Sequence, residues 1–180
     1  MKLLWTGTDA LFYSSWPKYK PHYVLFIKLF ARLCDLFVQE HYIVSEHLRD
    51  ELKGLKKPIK VLIDPPDYDC VITKQPHKGI NILYFYKPGR FWSWIYGTDI
   101  IIDMYNEYRD FNWIMVDGSQ DMKEVYPDVD FYLRPNRHDG YSRMIMECDI
   151  NDIPYYWSQD NPDINEIKKQ LDGLRINANV

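Results

Sequence analysis

The stretch Asp130–Ser158, DFYLRPNRHDGYSRMIMECDINDIPYYWS, limits the fold more than any other part of the chain. A short apolar run, Phe131–Leu133, stops at Arg134-Pro135, and the polar loop Asn136-Arg137-His138-Asp139-Gly140 follows. Ser142 stands where a helix cap belongs, ahead of Met144, Ile145 and Met146. After the break at Asn151-Asp152, Ile153–Trp157 reads as a buried strand. Strand, loop, helix and strand in this order form one unit of a parallel sheet. Asp139 sits in the loop at the strand's carboxyl end. Glu147 sits just over one turn into the helix, where its side chain can lean back towards the loop. In an open α/β sheet that crevice is where ligands bind.

The same rhythm runs through residues 79–158. Ile80–Tyr86 is apolar, bounded by Gly79 and Pro88-Gly89, and Ser93–Tyr108 carries Ile95, Ile101, Ile102 and Tyr105 at helical spacing. Trp113–Val116 is a strand ending at Asp117-Gly118, and Asp121–Tyr126 is a short helix before Pro127. Asp163–Arg175 is a polar helix with Ile164, Ile167 and Leu171 as its apolar stripe, and Ile176–Val180 is a tail.

Upstream, Lys2–Trp5 is a strand with a turn at Thr6–Asp9, and Leu11–Tyr19 is loop or short helix. His22–Gln39 gives the strongest helix signal. Lys28, Arg32, Asp35 and Gln39 form one narrow polar stripe on an otherwise apolar circumference, so a mostly buried helix is expected. Two other settings suit it: a membrane surface, as a peripheral contact, or a face packed on a partner chain. His41–Val44 is a strand, Ser45 a cap, Glu46–Lys53 a helix stopped by Gly54, and Ile59–Ile63 a strand. Asp64-Pro65-Pro66-Asp67 is a rigid linker. This divides the chain into residues 1–63, a linker at 64–78, and a Rossmann-like domain at 79–180.

At 180 residues the chain can hold one domain with a sizeable core plus part of another. A net charge of −4 without a Lys/Arg-rich run argues against a nucleic-acid binder. Cys34, Cys70 and Cys148 are odd in number and far apart, which fits reduced thiols and a cytoplasmic location. Met1–Ala10 has no secretory pattern, and Tyr23–Val38 is interrupted by three charges, which argues against a bilayer span. Asp117 and Asp121 stand close but lack the Asp-x-Asp spacing; no metal-ligand cluster is read, and no Gly-x-Ser-x-Gly occurs. No cofactor is called for.

The acidic residue, seven residues and Glu of Asp139–Glu147, inside LRPNRHDGYSRMIMEC and followed by IPYYWS, resembles the donor-site loop, helix and strand of the retaining glycosyltransferases of family four, also called group one. WTGTD at Trp5–Asp9 and YIVSEHLRDELKGL at Tyr42–Leu55 are similar to their late amino-terminal domain. Family members usually have Glu where this chain has Asp139. The resemblance implies the GT-B architecture, two Rossmann-like domains of roughly ~150 residues each. Here the donor-binding half would be preceded by a remnant of the acceptor half. It implies metal-independent sugar transfer, with retention, from a nucleotide-diphosphate sugar, which is a substrate and not a cofactor. Glu147 would bind the donor ribose, Asp139 with His138 would face the sugar, and Gly118 would be the family's glycine after the second strand.

The leaving diphosphate needs positive charge. Lys87-Pro88-Gly89-Arg90 offers a glycine for close backbone approach and a forked cation. The amides of Gly140, Tyr141 and Ser142 at a helix start are a second anion site. The family usually has a Lys a few residues after the Arg; here Ile95 and Tyr96 occupy that region, leaving Lys87 as the second cation. Plainer roles exist: Asp139 as a turn former before glycine, and Glu147 as partner of Arg143 four residues earlier. The acceptor is not specified. A partner chain or a second copy would supply the acceptor half, with residues 22–38 as docking face. The alternative is a subunit that binds a nucleotide sugar without turnover.

Overall fold

A computed structural model describes residues 2–5, 21–46, 48–62, 71–140 and 142–178. The turn at Thr6–Asp9, the segment Leu11–Tyr19, the linker Asp64–Asp67 and Tyr141 lie outside them. Two units make up the chain: Met1–Pro65 with Asp139–Tyr141, and Pro66–His138 with Ser142–Val180.

In the first unit, strands β1 (Lys2–Trp5), β2 (Glu40–Ile43) and β3 (Ile59–Val61) alternate with helices α1 (Pro21–Phe37) and α2 (Leu48–Glu51). The sheet is all parallel in the order β1-β2-β3, with Trp5 opposite Ile43 and Ile43 opposite Val61. Parallel neighbours need a crossover, and the helices supply it. Trp5, Ala31, Ile43, Leu48 and Leu52 form the core.

The expectation of a mostly buried α1 is not met. Leu25, Phe26, Leu29, Phe30, Leu33, Leu36 and Phe37 are each 49–72% exposed. A three-stranded sheet can cover only one side of a helix, and α1 turns Ala31 and Asp35 to it. Asp35 therefore does not belong to a solvated stripe. Its Oδ1 accepts from His41 Nε2 at 2.9 Å and from the Lys57 amide at 3.0 Å, and its Oδ2 accepts from the Lys56 amide at 2.9 Å. Trp5 Nε1 donates to His41 Nδ1 at 3.1 Å, so Nε2 carries the hydrogen given to Asp35. Burial works against the charge on Asp35, but these donors outweigh it and hold the carboxyl below its ordinary range. One hydrogen-bonded chain thus pins α1 to β1 and β2.

The second unit holds β4 (Asn81–Phe85), α3 (Arg90–Ile95), α4 (Thr98–Glu107), β5 (Asn112–Val116), α5 (Met122–Val125), β6 (Phe131–Arg134), α6 (Arg143–Ile150), β7 (Tyr155–Trp157) and α7 (Ile164–Ala178). The strands are parallel in the order β5-β4-β6-β7. Alternation along each strand sends Ile82, Phe131 and Leu133 to a core shared with α4 and α7. Leu83, Tyr132 and Val116 go to the opposite face, against Tyr126, Ile145 and Cys148. Helices cover both faces, as in a Rossmann-like α/β fold.

The helical pattern over Ser93–Tyr108 resolves into two helices. Gly97 lies between them at φ 63°, and a Cβ there would fall 2.1 Å from the Pro135 carbonyl oxygen. Only glycine permits both that conformation and that approach. At the other end of the unit, Asp163 Oδ1 accepts from the amides of Asn165 and Glu166 and caps α7.

Candidate functional site

β4 and β6 are neighbours, yet their chain continuations part. From β4 the chain crosses to β5 over the face of α4; from β6 it crosses to β7 over the face of α6. The two connections therefore make the carboxyl ends of β4 and β6 the topological switch point, the place where open sheets bind ligands. The loops that border it are Tyr86–Gly89 and Pro135–His138.

On the β4 side, Gly89 precedes α3 at φ 105°, and Arg90 opens the helix as an exposed residue. Lys87 Nζ lies 4.0 Å from the centre of the Trp92 ring. Trp92 stacks on Tyr96 at 6.2 Å, and Tyr96 lies 5.0 Å from Phe85. Arg134, at the end of β6, completes this wall. Its guanidinium carbon is 5.5 Å from the Tyr96 ring centre and 6.0 Å from that of Phe85. Arg134 is buried, and its Nη1 donates to the Tyr132 hydroxyl at 2.9 Å. The two cations lie at opposite ends of one aromatic ladder, where the ring faces offset the cost of desolvating their charge. At the strand end before Pro135, Arg134 braces this wall. That Phe85, Trp92 and Tyr96 would meet was not visible in the sequence.

On the β6 side, Arg137 clasps Asp99 with two bonds of 2.7 and 2.6 Å, donates to the Trp94 carbonyl at 3.0 Å, and its amide donates to the Ile95 carbonyl at 2.8 Å. Arg137 holds the Asp99 carboxyl below its usual range, against the partial burial. Arg137 thus fastens the loop to the α3–α4 junction. Between these anchors sits Asn136, 1% exposed, whose Oδ1 and Nδ2 find no hydrogen-bond partner among the described residues. Buried amides are seldom left so, because each unmet group costs about 1–3 kcal/mol. The sequence placed Asn136 in the polar loop after the strand-ending Arg-Pro but gave it no role of its own.

His138 is buried, Asp139 half-buried and Gly140 buried. Ser142 occupies the cap position of α6 but its side chain makes no capping bond, a correction to the expected cap. Glu147 is buried, and its carboxylate is engaged. Tyr126 donates its hydroxyl to Oε2 at 2.7 Å, and Arg143 Nε lies 3.3 Å from Oε1. Burial and this bond push the Tyr126 phenol far above its usual range. The pairing with Arg143 that the sequence allowed is therefore formed, and Tyr126, twenty-one residues upstream, was not foreseen. Gly118 takes φ 94° in a turn closed by its own neighbours: Asp117 Oδ1 accepts from the Ser119 amide and hydroxyl. Those bonds hold the Asp117 carboxyl below its usual range.

No family model matches the chain, and no curated protein matches it. Among solved structures, a chain of the GtfA/B complex matches with a TM-score of 0.52 at 12% identity. The match covers 73% of this chain and 32% of the other, so this chain spans about a third of its length. The likeness is one of fold.

Proposed function

We propose that the crevice at the ends of β4 and β6 binds a nucleotide-diphosphate sugar, and that the protein transfers the sugar with retention and without a metal. The observation that carries this reading is the chemistry gathered at the switch point of a glycosyltransferase-like sheet. Gly89-Arg90, Lys87 and Arg134 supply positive charge for a diphosphate, and Asn136 holds a donor and an acceptor, unmet among the described residues, that suit hydroxyls. The aromatic wall suits a sugar or base ring.

In this reading Glu147 orients the donor ribose, with Tyr126 fixing its carboxylate. Asp139 and His138 face the sugar, and Gly118 lets the base approach. Negative charge that grows on the leaving diphosphate meets fixed cations, which lowers the barrier. A partner chain or a second copy completes the acceptor side.

A second reading is favoured by one specific observation: both Glu147 oxygens have protein partners, and Lys87 rests on Trp92. A site so engaged suits a partner subunit that binds a nucleotide sugar without turnover. Incubation with uridine, guanosine, adenosine and cytidine diphosphate sugars, with and without chelator, separates the two. Sugar release or transfer that keeps the anomeric configuration and survives the chelator supports catalysis. Binding without turnover, also after adding candidate partner chains, supports the second reading. Neither binding nor turnover contradicts both.

A further inference from the structure

We propose that α1 and the loop beside it dock the protein on an anionic phospholipid surface. Among the described side chains of α1, seven exposed apolar ones are Leu or Phe. At about 100° per residue they fall within roughly 140° of the circumference, on the side away from Ala31 and Asp35. An apolar face this broad exceeds what a soluble surface normally leaves open.

Charge decides what covers it. Residues 1–62 carry ten Lys/Arg against six Asp/Glu, a net +4, while residues 63–180 carry twelve against twenty, a net −8. The apolar helix thus lies in the cationic part of an acidic protein. A groove of about 390 Å³ runs between α1 and the loop at Gly54–Lys56. Leu29, Leu33 and Leu36 line it together with Arg32 and Lys56. Asp35 also borders it, but its carboxylate oxygens are taken up by His41 and the Lys56 and Lys57 amides. Apolar side chains with cations at their edge match the acyl–headgroup boundary, where Leu and Phe enter the hydrocarbon and Arg32 and Lys56 meet lipid phosphates. Neither signal holds a protein on a bilayer well by itself; together they do. A second copy seated on this face would oppose like charges. Among the described residues no helix is long and apolar enough to cross a membrane, so the helix lies in the surface. This inference stands apart from the sugar-transfer reading and survives its failure.

The test is flotation of the purified chain with vesicles of phosphatidylcholine alone or mixed with phosphatidylglycerol. Flotation with the anionic vesicles, weaker on the neutral ones and falling with added salt, is expected. Phe26→Ser/Leu36→Ser, at positions that contribute little to the core, abolishes it while leaving the melting temperature unchanged. Arg32→Gln/Lys56→Gln weakens binding to anionic vesicles by roughly fivefold per cation. No flotation with anionic vesicles, or flotation equal in the Phe26/Leu36 variant, overturns the proposal. So does a lipid-free dimer that the same variant disrupts and that does not float.

Discussion

Asn136→Leu is expected to stabilise the protein and weaken its ligand binding. Asn136 is buried with both side-chain polar atoms unpaired among the described residues. Leucine has nearly the same shape and no polar atoms. The exchange removes two unmet groups, each costing about 1–3 kcal/mol, and adds apolar burial. Part of this is lost to imperfect fit, since cores resist changes of shape. A net gain of about 2 kcal/mol raises the melting temperature by roughly 4–8 °C for a chain of this size. Differential scanning calorimetry of the free proteins measures it. The same variant removes the donor and acceptor assigned to the sugar or ribose, so nucleotide-sugar affinity falls by about tenfold or more for one lost buried bond. A lower melting temperature in the variant refutes the reasoning, because it means the amide is paired and supports the fold. A raised melting temperature with unchanged affinity refutes the ligand role alone.

Three further outcomes follow from the same structure. Tyr126→Phe leaves Glu147 Oε2 without its donor and lowers stability by about 1–2 kcal/mol in urea titration, yet weakens nucleotide binding less than Glu147→Ala, which removes the carboxylate. Gly97→Ala places a methyl 2.1 Å from the Pro135 carbonyl oxygen at φ 63°, so it costs at least about 2 kcal/mol and loosens the loop that carries Asn136 and His138; unchanged melting and binding contradict this. Asp35 has a depressed carboxyl in the folded state, so its contribution is complete above the unfolded value of 3.8 and is lost as pH falls through the lower folded value. Asp35→Asn therefore flattens the pH dependence of stability below about pH 4, as well as lowering stability at neutral pH; a parallel pH profile in the variant contradicts the assignment.

The alternation of strands and helices was legible because period and turn chemistry are local. Phe131–Leu133, the helix after Ser142 and the last strand all stand where the pattern put them. Two features were not legible because they depend on distant parts of the chain. Gly97 breaks a continuous helical pattern through its contact with Pro135, thirty-eight residues on. Asp35 turns inward because His41 and two loop amides need an acceptor, which no helical wheel records. The setting of α1 failed for another reason: an apolar circumference tells what the helix avoids, but not whether the sheet is wide enough to cover it. At the site, the positions of Lys87, Gly89, Arg90 and His138 beside strand ends could be read from strand and loop order. The partners of Glu147 could not, since Tyr126 reaches it across the face of the sheet. Asn136 could be read as a loop residue, but not as one buried without a hydrogen-bond partner among the described residues, which no sequence displays.

The central claim is that the switch-point crevice binds a nucleoside diphosphate. The most direct measurement is a thermal-shift panel of uridine, guanosine, adenosine and cytidine diphosphates against the intact chain and against Glu147→Ala. A ligand that binds only the folded state stabilises it by about 2.7 kcal/mol at 100 times its dissociation constant. The account predicts a shift with one nucleotide that is lost in Glu147→Ala. No shift with any nucleotide, or an equal shift in the variant, contradicts it.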